Sequence, residues 1–323
     1  MKAIRFTKPG GPEVLTLEDI DLPLPAPGQV RVRHTVIGVN FIDTYQRSGL
    51  YPVALPSGLG LEAAGVVEAL GDSVTSFKTG DRVGYCSGPL GAYGEANNVP
   101  SDRLVKLPDG IGDEVAAAAM LKGMTAQYLL KRTFPVKRGQ TILFHSAAGG
   151  VGLIAGQWAK HLGATVIGTV GSDDKIALSK ANGYDHVLNA RNGNWAERVR
   201  QITKGEGVPV VYDSVGKDTF MGSLDCLAMR GTMVSFGNSS GAVPAFEPAI
   251  LSLKGSLYLT RPTLFHYTRT PAELQETAND LFAVIASGVV KIAVNQRFGL
   301  ADARAAHEAL HSRKTTGATV LIP

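Results

Sequence analysis

The sequence predicts an α/β protein in which a β-rich region precedes a doubly wound, six-stranded parallel sheet. Three observations carry this. Short runs with period-two alternation fill the chain up to about residue 124. From about residue 125, strand-length apolar runs alternate with helical stripes, the pattern of a parallel sheet with right-handed crossovers. A glycine-rich turn joins the first strand of that series to its first helix.

In the β-rich region, Met1 to Phe6 alternates like a strand and lacks the apolar core of a signal peptide. Gln29 to Asn40 alternates through Val30, Val32, Val36 and Val39, and Gly65–Val67, Arg82–Tyr85 and Tyr93–Val99 add further strand-length pieces. Pro-rich Leu22 to Gly28 reads as a turn, and strands at this spacing suggest a barrel or sandwich. In the second region, strands are expected at Thr141–His145, Thr165–Val170, His186–Leu188, Pro209–Asp213, Thr232–Phe236 and Ser256–Thr260. Val151, Ile154, Ala155, Trp158 and Leu162 form one helical face, and Lys175–Ala181, Trp195–Ile202 and Phe220–Leu227 are the other crossover helices. Thr270-Pro271-Ala272-Glu273 is a capping box opening a helix that stops at Gly288; a helix over Asp302–His311 and a strand over Ala318–Ile322 follow.

Composition narrows the function classes. Of 323 residues, 44% are hydrophobic and 19% charged, enough for buried cores and against disorder. The 32 basic and 28 acidic residues leave +4, interspersed with no basic block, so nucleic acid is not an expected partner. No apolar run reaches the ~20 residues that span a bilayer, and the expectation is a cytoplasmic protein without membrane insertion. Cys86 and Cys226 make neither a disulfide framework nor a four-thiolate zinc site, and read as small core side chains.

Ala147-Ala148-Gly149-Gly150-Val151-Gly152 lies between strand and helix, with Gly149 and Gly152 in the second and third places of G-x-G-x-x-G. A residue without Cβ at the second place lets backbone approach a pyrophosphate, the third packs helix on strand, and the helix N-terminus attracts phosphate. Six alternating strands around it make a dinucleotide site the reading. An acid closing the second strand would bind the ribose 2′-hydroxyl of NAD; Gly168 to Lys175 puts small residues there, with Ser172 and Lys175 suited to a 2′-phosphate and Asp173 and Asp174 as the counter-argument. NADPH is the expected cofactor. No Cys or His has zinc-ligand spacing; His307 and His311 lie four apart on a helix of small and charged residues and read as a partly exposed face. No metal and no covalent-nucleophile motif are expected.

The chain resembles the zinc-free quinone oxidoreductases of the medium-chain dehydrogenase/reductase superfamily, the zeta-crystallin-like group, particularly the bacterial NADPH:quinone reductases. The likeness runs from end to end, through Gly10–Leu15, Asn40–Tyr45, Arg47–Pro52, Gly80–Val83, Ala147–Gly152, Val211–Gly216 and Val234–Gly241. Zinc relatives have Cys at or near Asn40 and Gly-His-Glu where this chain has Gly60-Leu61-Glu62. The resemblance implies a GroES-like β-barrel catalytic domain (1–124, completed by 263–323) with a Rossmann cofactor-binding domain (125–262) inserted. It implies that Asn40, Phe41, Asp43 and Tyr45 line the nicotinamide side, and that Gly149, Gly150 and Val151 hold the pyrophosphate. Ser172, Lys175 and Arg313 would take the 2′-phosphate; Phe236, Gly237, Asn238 and Ser239 would support ribose and nicotinamide, and Ser214 of the Val211–Gly216 motif would be a further cofactor-binding residue. Asn40, Tyr45 and Tyr51 are the candidate positioning or donor residues for catalysis. Relatives often carry Tyr after the Asn at 189, near the adenine; this chain has Ala190, with Arg191 beside it as the candidate to compensate.

The expected activity is NADPH-dependent quinone reduction by hydride transfer. The alternatives are NADPH-dependent reduction of α,β-unsaturated carbonyls and, from another class, a nucleotide- or RNA-binding protein. The strand at Ser256–Thr260 would be a sheet edge, and the resemblance implies a homodimer joined there.

Overall fold

The computed structural model describes residues 1–323. Contacts divide the chain into two units: Met1–Met124 with Thr268–Ala286 and Ile292–Pro323, and Thr125–Tyr267 with Ser287–Lys291.

The first unit is organised by one long strand. Its strands are β1 (Lys2–Phe6), β2 (Thr16–Asp19), β3 (Gln29–Val39), β4 (Ser57–Gly58), β5 (Glu62–Leu70), β6 (Arg82–Tyr85), β7 (Ala96–Pro100) and β8 (Val105–Lys106), joined late in the chain by β15 (Val294–Gly299) and β16 (Ala318–Ile322). One edge of β3 pairs antiparallel with β5 along most of its length; the other pairs first with β7 and then with β16. The seven-stranded sheet runs β15-β16-β3-β5-β6-β8 with β7 on β3, and β2-β1-β4 is a separate sheet. Val30, Val32 and Val36 point into the core, as the alternation predicts, and from Val36 to Val39 the strand is buried on both faces. Val30, Val32, Ile37 and Val39 pack with Ile4, Phe6, Val67, Val83, Tyr85, Tyr93 and, from the carboxyl-terminal segment, Leu300, Leu310 and Leu321.

Two helices of this unit are absent from the period-two reading. Helix α1 (Phe41–Ser48) follows β3 directly, and α2 (Asp113–Tyr128) follows β8. In α1, Phe41, Ile42, Thr44 and Tyr45 are types that favour strands, and eight residues are too few to show a stripe. Helix α2 is apolar all round, with Ala116 to Met120 buried, so it has no periodic face to read. Helix α9 (Pro271–Ala286) carries the expected capping box: Thr270 N–H donates to Glu273 Oε2 (3.0 Å) and Glu273 N–H to Thr270 Oγ1 (3.2 Å). Helix α10 (Ala303–His311) is preceded by a 3₁₀ turn over Leu300–Asp302.

The second unit holds β9 (Thr141–Phe144), β10 (Thr165–Val170), β11 (His186–Asn189), β12 (Val208–Asp213), β13 (Leu227–Ser235) and β14 (Tyr258–Thr260). All pairs are parallel, in the order β11-β10-β9-β12-β13-β14, the doubly wound arrangement with its switch point between β9 and β12. The crossovers carry α3 (Gly150–His161), α4 (Ile176–Ala181), α5 (Trp195–Ile202) and α6 (Phe220–Cys226); α7 (Ala249–Leu253) and α8 (Leu264–Tyr267) flank β14. Strand β13 begins five residues ahead of the expected Thr232, and its pairing with β12 is interrupted by an irregularity near Arg230, a left-handed residue. The core of this unit gathers Leu143, Ile167, Val211, Phe220, Leu224 and Met233, with Ala190 packed against it.

Candidate active site

In the first unit the site is built where β3 ends. Asn40 closes the strand in extended conformation and is the N-cap of α1. Its backbone N–H donates to Asp43 Oδ2 (2.8 Å), the return half of a capping box. Its side-chain Nδ2 donates to Glu62 Oε2 (2.7 Å). Glu62, wholly buried at the start of β5, also accepts from Lys122 Nζ at Oε2 (2.9 Å) and from the Leu121 N–H at Oε1 (2.6 Å). Lys122 is itself buried in α2, so the two charges pair out of water.

Asp43 is turned inward. Oδ2 accepts from Asn40 N–H and from the Tyr93 hydroxyl (2.9 Å), and buried Oδ1 has no partner. Burial pushes this carboxyl up to about 7, against the hydrogen bonds from Asn40 and Tyr93 and the field of Lys122. Tyr93 Oη also meets His307 Nε2 (3.1 Å), and Arg47 reaches His307 Nδ1 (3.0 Å) and His311 Nε2 (3.3 Å). A guanidinium only donates, so neutral His307 accepts at Nδ1 and carries its proton on Nε2, toward Tyr93. Burial lowers His307 to about 3, with the Arg47 charge acting the same way. The reading of His307 and His311 as one partly exposed face is therefore corrected: His311 is exposed, but His307 is enclosed, bound by Arg47 from α1. Phe41, Tyr45 and Tyr51 form an aromatic group, with Tyr45 and Tyr51 edge-on at 5.3 Å and the Tyr51 N–H donating to Tyr45 O (3.0 Å). No group of three or more His, Cys, Asp or Glu side chains is arranged to hold a metal. Where zinc relatives place ligands, this chain offers an amide, a leucine and a carboxylate already bound to an ammonium, a donor set that does not fit the ion. Cys86 and Cys226 are free and buried, and burial raises both thiols, Cys226 to about 12.

In the second unit the glycine turn caps α3. Gly149 is the extended N-cap, and Leu153 N–H is the first to close onto the helix (Gly149 O, 2.9 Å), so the amides of Gly150, Val151 and Gly152 precede the ladder. A Cβ on Gly152 would overlap the Ser146 carbonyl oxygen, so this helix start tolerates no side chain there. Ser146, a left-handed residue, accepts at Oγ from Ser214 Oγ (3.1 Å) and ties the turn after β9 to the one after β12. Asp213 fixes that second turn through Oδ1, which accepts from the N–H groups of Val215 (2.7 Å) and Gly216 (3.0 Å). Gly237, after β13, packs so closely on Ser214 O that a Cβ would overlap it. Arg261 donates to Gly237 O (3.0 Å) and Ser235 Oγ (3.2 Å) and meets the Asn238 carboxamide (3.1 Å), bracing the loop that carries Phe236, Gly237, Asn238 and Ser239.

At the end of β10 both acids are engaged locally. Asp173 Oδ1 accepts from Asn189 Nδ2 (2.9 Å), and Asp174, which is exposed, is held below the usual carboxylate range by the Ser172 side chain. Burial lowers the Lys175 ammonium, Asp174 opposes this, and the charge of Arg191 adds to the lowering. Arg313 belongs to the first unit, exposed and left-handed in the loop after α10.

Sequence reasoning passed over Glu62, Lys122, Tyr93, Asp213 and Arg261. The first two had a signal: a lone carboxylate in Leu61–Gly65 and a lone ammonium in the apolar run of α2 are costly unless paired.

Comparison with known proteins agrees with this architecture. Residues 26–109 match the alcohol dehydrogenase GroES-like domain, and residues 150–283 match the zinc-binding dehydrogenase family. A Pseudomonas aeruginosa protein named quinone oxidoreductase is 56% identical over 323 residues, covering 100% of this chain and 99% of the relative. A Burkholderia protein named 2-haloacrylate reductase is 46% identical, covering 98% and 97%. The crystal structure of Escherichia coli quinone oxidoreductase complexed with NADPH superposes with TM-score 0.99 at 52% identity, over 100% of both chains. The fold and its two units are those of a medium-chain dehydrogenase/reductase, and the chain belongs to the zinc-free quinone oxidoreductase family within it.

Proposed function

We propose that this protein reduces quinones with NADPH. The observation that carries the reading is the end-to-end likeness, at 56% identity, to a quinone oxidoreductase. The residues present fit the cofactor: a helix N-terminus whose Gly152 admits no Cβ, and a strand end where Asp173 is turned to Asn189 and Lys175 lies near Arg191. NADPH bound here supplies a hydride from nicotinamide C4, and with one proton from solvent or a side chain the quinone becomes an aromatic hydroquinone. Gly149, Gly150 and Val151 would hold the pyrophosphate; Ser172 and Lys175, with Arg191, the 2′-phosphate. Ser214 and the Phe236–Ser239 loop would seat the ribose and nicotinamide, and Phe41, Tyr45 and Tyr51 would order the substrate and exclude water. Asp43 acts through the Asn40 backbone, because its carboxylate is enclosed. The first unit is the catalytic one and the second the cofactor-binding one.

A second reading, reduction of an activated carbon–carbon double bond, is favoured by the likeness to 2-haloacrylate reductase. It requires protonation at carbon. Anaerobic oxidation of NADPH and NADH with 1,4-benzoquinone and, in parallel, with an enone and 2-chloroacrylate separates the two. Quinone turnover that prefers NADPH supports the first reading; turnover of the alkene alone replaces it with the second.

No helix is long and apolar enough to cross a membrane. The protein is read as a cytoplasmic homodimer. Supporting the dimer, β14 pairs on one side only, and Tyr258, Leu259, Met229 and Leu253 leave apolar surface exposed at that edge. Light scattering that returns 34.0 kDa would exclude it.

A further inference from the structure

We propose that Glu62 and Lys122 are a positioning pair for Asn40, fixing which edge of its carboxamide faces the reacting groups. The proposal rests on the reading of Asn40 as a site residue in a quinone reductase. A carboxylate only accepts hydrogen bonds, so the Nδ2 edge of Asn40 must face Glu62 Oε2 and the amide cannot turn over. The carboxylate cannot rotate away either. Leu121 N–H holds Oε1, Lys122 Nζ holds Oε2, and β3 carries Gly38 beneath it, where a Cβ would overlap Oε2. Asp43 fixes the Asn40 backbone on the other side. Every degree of freedom that would let the carboxamide swap its donor and acceptor ends is therefore closed by a buried group.

A buried ion pair gives little stability over a neutral pair of the same shape, and two charges are an expensive way to fasten α2 to β5. What a neutral pair cannot do is impose polarity. A glutamine at 62 offers both a donor and an acceptor, and so allows Asn40 either orientation.

The test compares Glu62→Gln, Lys122→Met and the double variant Glu62→Gln/Lys122→Met. The Lys122→Met variant strands a buried carboxylate and should melt well below wild type; the double variant should regain most of the melting temperature. If the pair positions Asn40, the double variant keeps NADPH binding, read from cofactor fluorescence, while kcat with 1,4-benzoquinone stays about tenfold down. If kcat recovers together with stability, the pair is only structural and the proposal falls. A readout independent of turnover is the Asn40 side-chain amide in ¹⁵N–¹H spectra of the cofactor-free protein, identified by its loss in Asn40→Ala. It should be downfield and slow to exchange in wild type and should lose both properties in Glu62→Gln; an unchanged signal overturns the proposal. Asn40→Asp adds a pH signature, since only its protonated acid can donate to Glu62. Its activity should rise as pH falls, and this dependence should weaken when position 62 is glutamine. A wild-type protein that binds NADPH but turns over no quinone would instead sink the functional reading, leaving the amide spectra to decide the geometry.

Discussion

In the second unit the buried carboxylate of Asp213 accepts four hydrogen bonds, from Val215 N–H, Gly216 N–H, Thr219 Oγ1 and Ser223 Oγ. His145 completes the group, meeting Thr169 Oγ1 (2.7 Å) and Ser223 Oγ (2.9 Å) with its two ring nitrogens. In the first unit Asp43, equally buried, has two donors on one oxygen and none on the other. The difference separates two uses of a buried acid. Asp213 is saturated, so its desolvation is offset and it works as a backbone brace for the turn after β12. Asp43 is undersupplied, and burial keeps its proton on up to about 7.

The sharpest way to break the second unit's half of this contrast is to crowd the turn it supports. Gly152→Val places side chain against the Ser146 carbonyl, and a loss of about 4 kcal/mol or more in urea unfolding is expected, with NADPH binding abolished. Next in size is Asp213→Ala, which orphans four donors at once and should lower stability by about 3 kcal/mol. The same substitution at Asp43 orphans only two and should be measurably milder.

The acid limb tests the first unit's histidines. His307 and His34 ordinarily titrate at 6.5, and burial lowers them to about 3 and about 4 in the fold. The unfolded chain therefore binds more protons in this interval. Their contribution is whole above 6.5 and is lost as pH falls from there toward 3, so the melting temperature should fall steadily below pH 6.5. Asp43 works in the opposite sense. Its ordinary value is 3.8 and its folded value about 7, so its contribution is whole below 3.8 and is lost as pH rises through about 7. Asp43→Asn retains an acceptor for Asn40 and Tyr93 and removes the charge; it should gain nothing below pH 3.8, progressively more as pH rises toward 7, and about 1 kcal/mol at pH 8. A variant less stable at pH 8 would mean the carboxylate is better served than its geometry indicates. The smallest effect is expected at Tyr45→Phe, a fall in kcat of about two- to fivefold, because packing against Phe41 and Tyr51 survives. A fall to below about 1% would make the phenol an essential acid.

The doubly wound sheet was legible almost residue by residue, since parallel strands such as Thr165–Val170 and crossover helices such as Trp195–Ile202 each carry their own local period. The glycine turn was legible because Gly152 answers to a steric demand that only one residue type meets. Helices α1 and α2 were hidden, the one too short and the other too uniformly apolar for a period to appear. His307 was misplaced for a related reason. Its helix looks polar by composition, but what buries the ring is Arg47, 260 residues away in sequence. The Glu62–Lys122–Asn40 group likewise joins three separate elements: a lone charge in an apolar run marks each window of sequence, but nothing in either window says which partner it meets.

The sheet of the first unit has a consequence for the order of assembly. Strand β3 receives β16 at Val39, Gly38 and Ile37, and β16 in turn seats β15. This joins residues near 38 to residues near 320 in a single hydrogen-bonded ladder. During synthesis the intervening second unit, apart from Ser287–Lys291, has emerged by Tyr267, before either of those strands. The ribosome therefore releases a nearly complete second unit while the first still lacks two strands. Until translation reaches Ala318–Ile322, the lower edge of β3 stays unpaired and open to other chains, a window for chaperones and for misassembly alike.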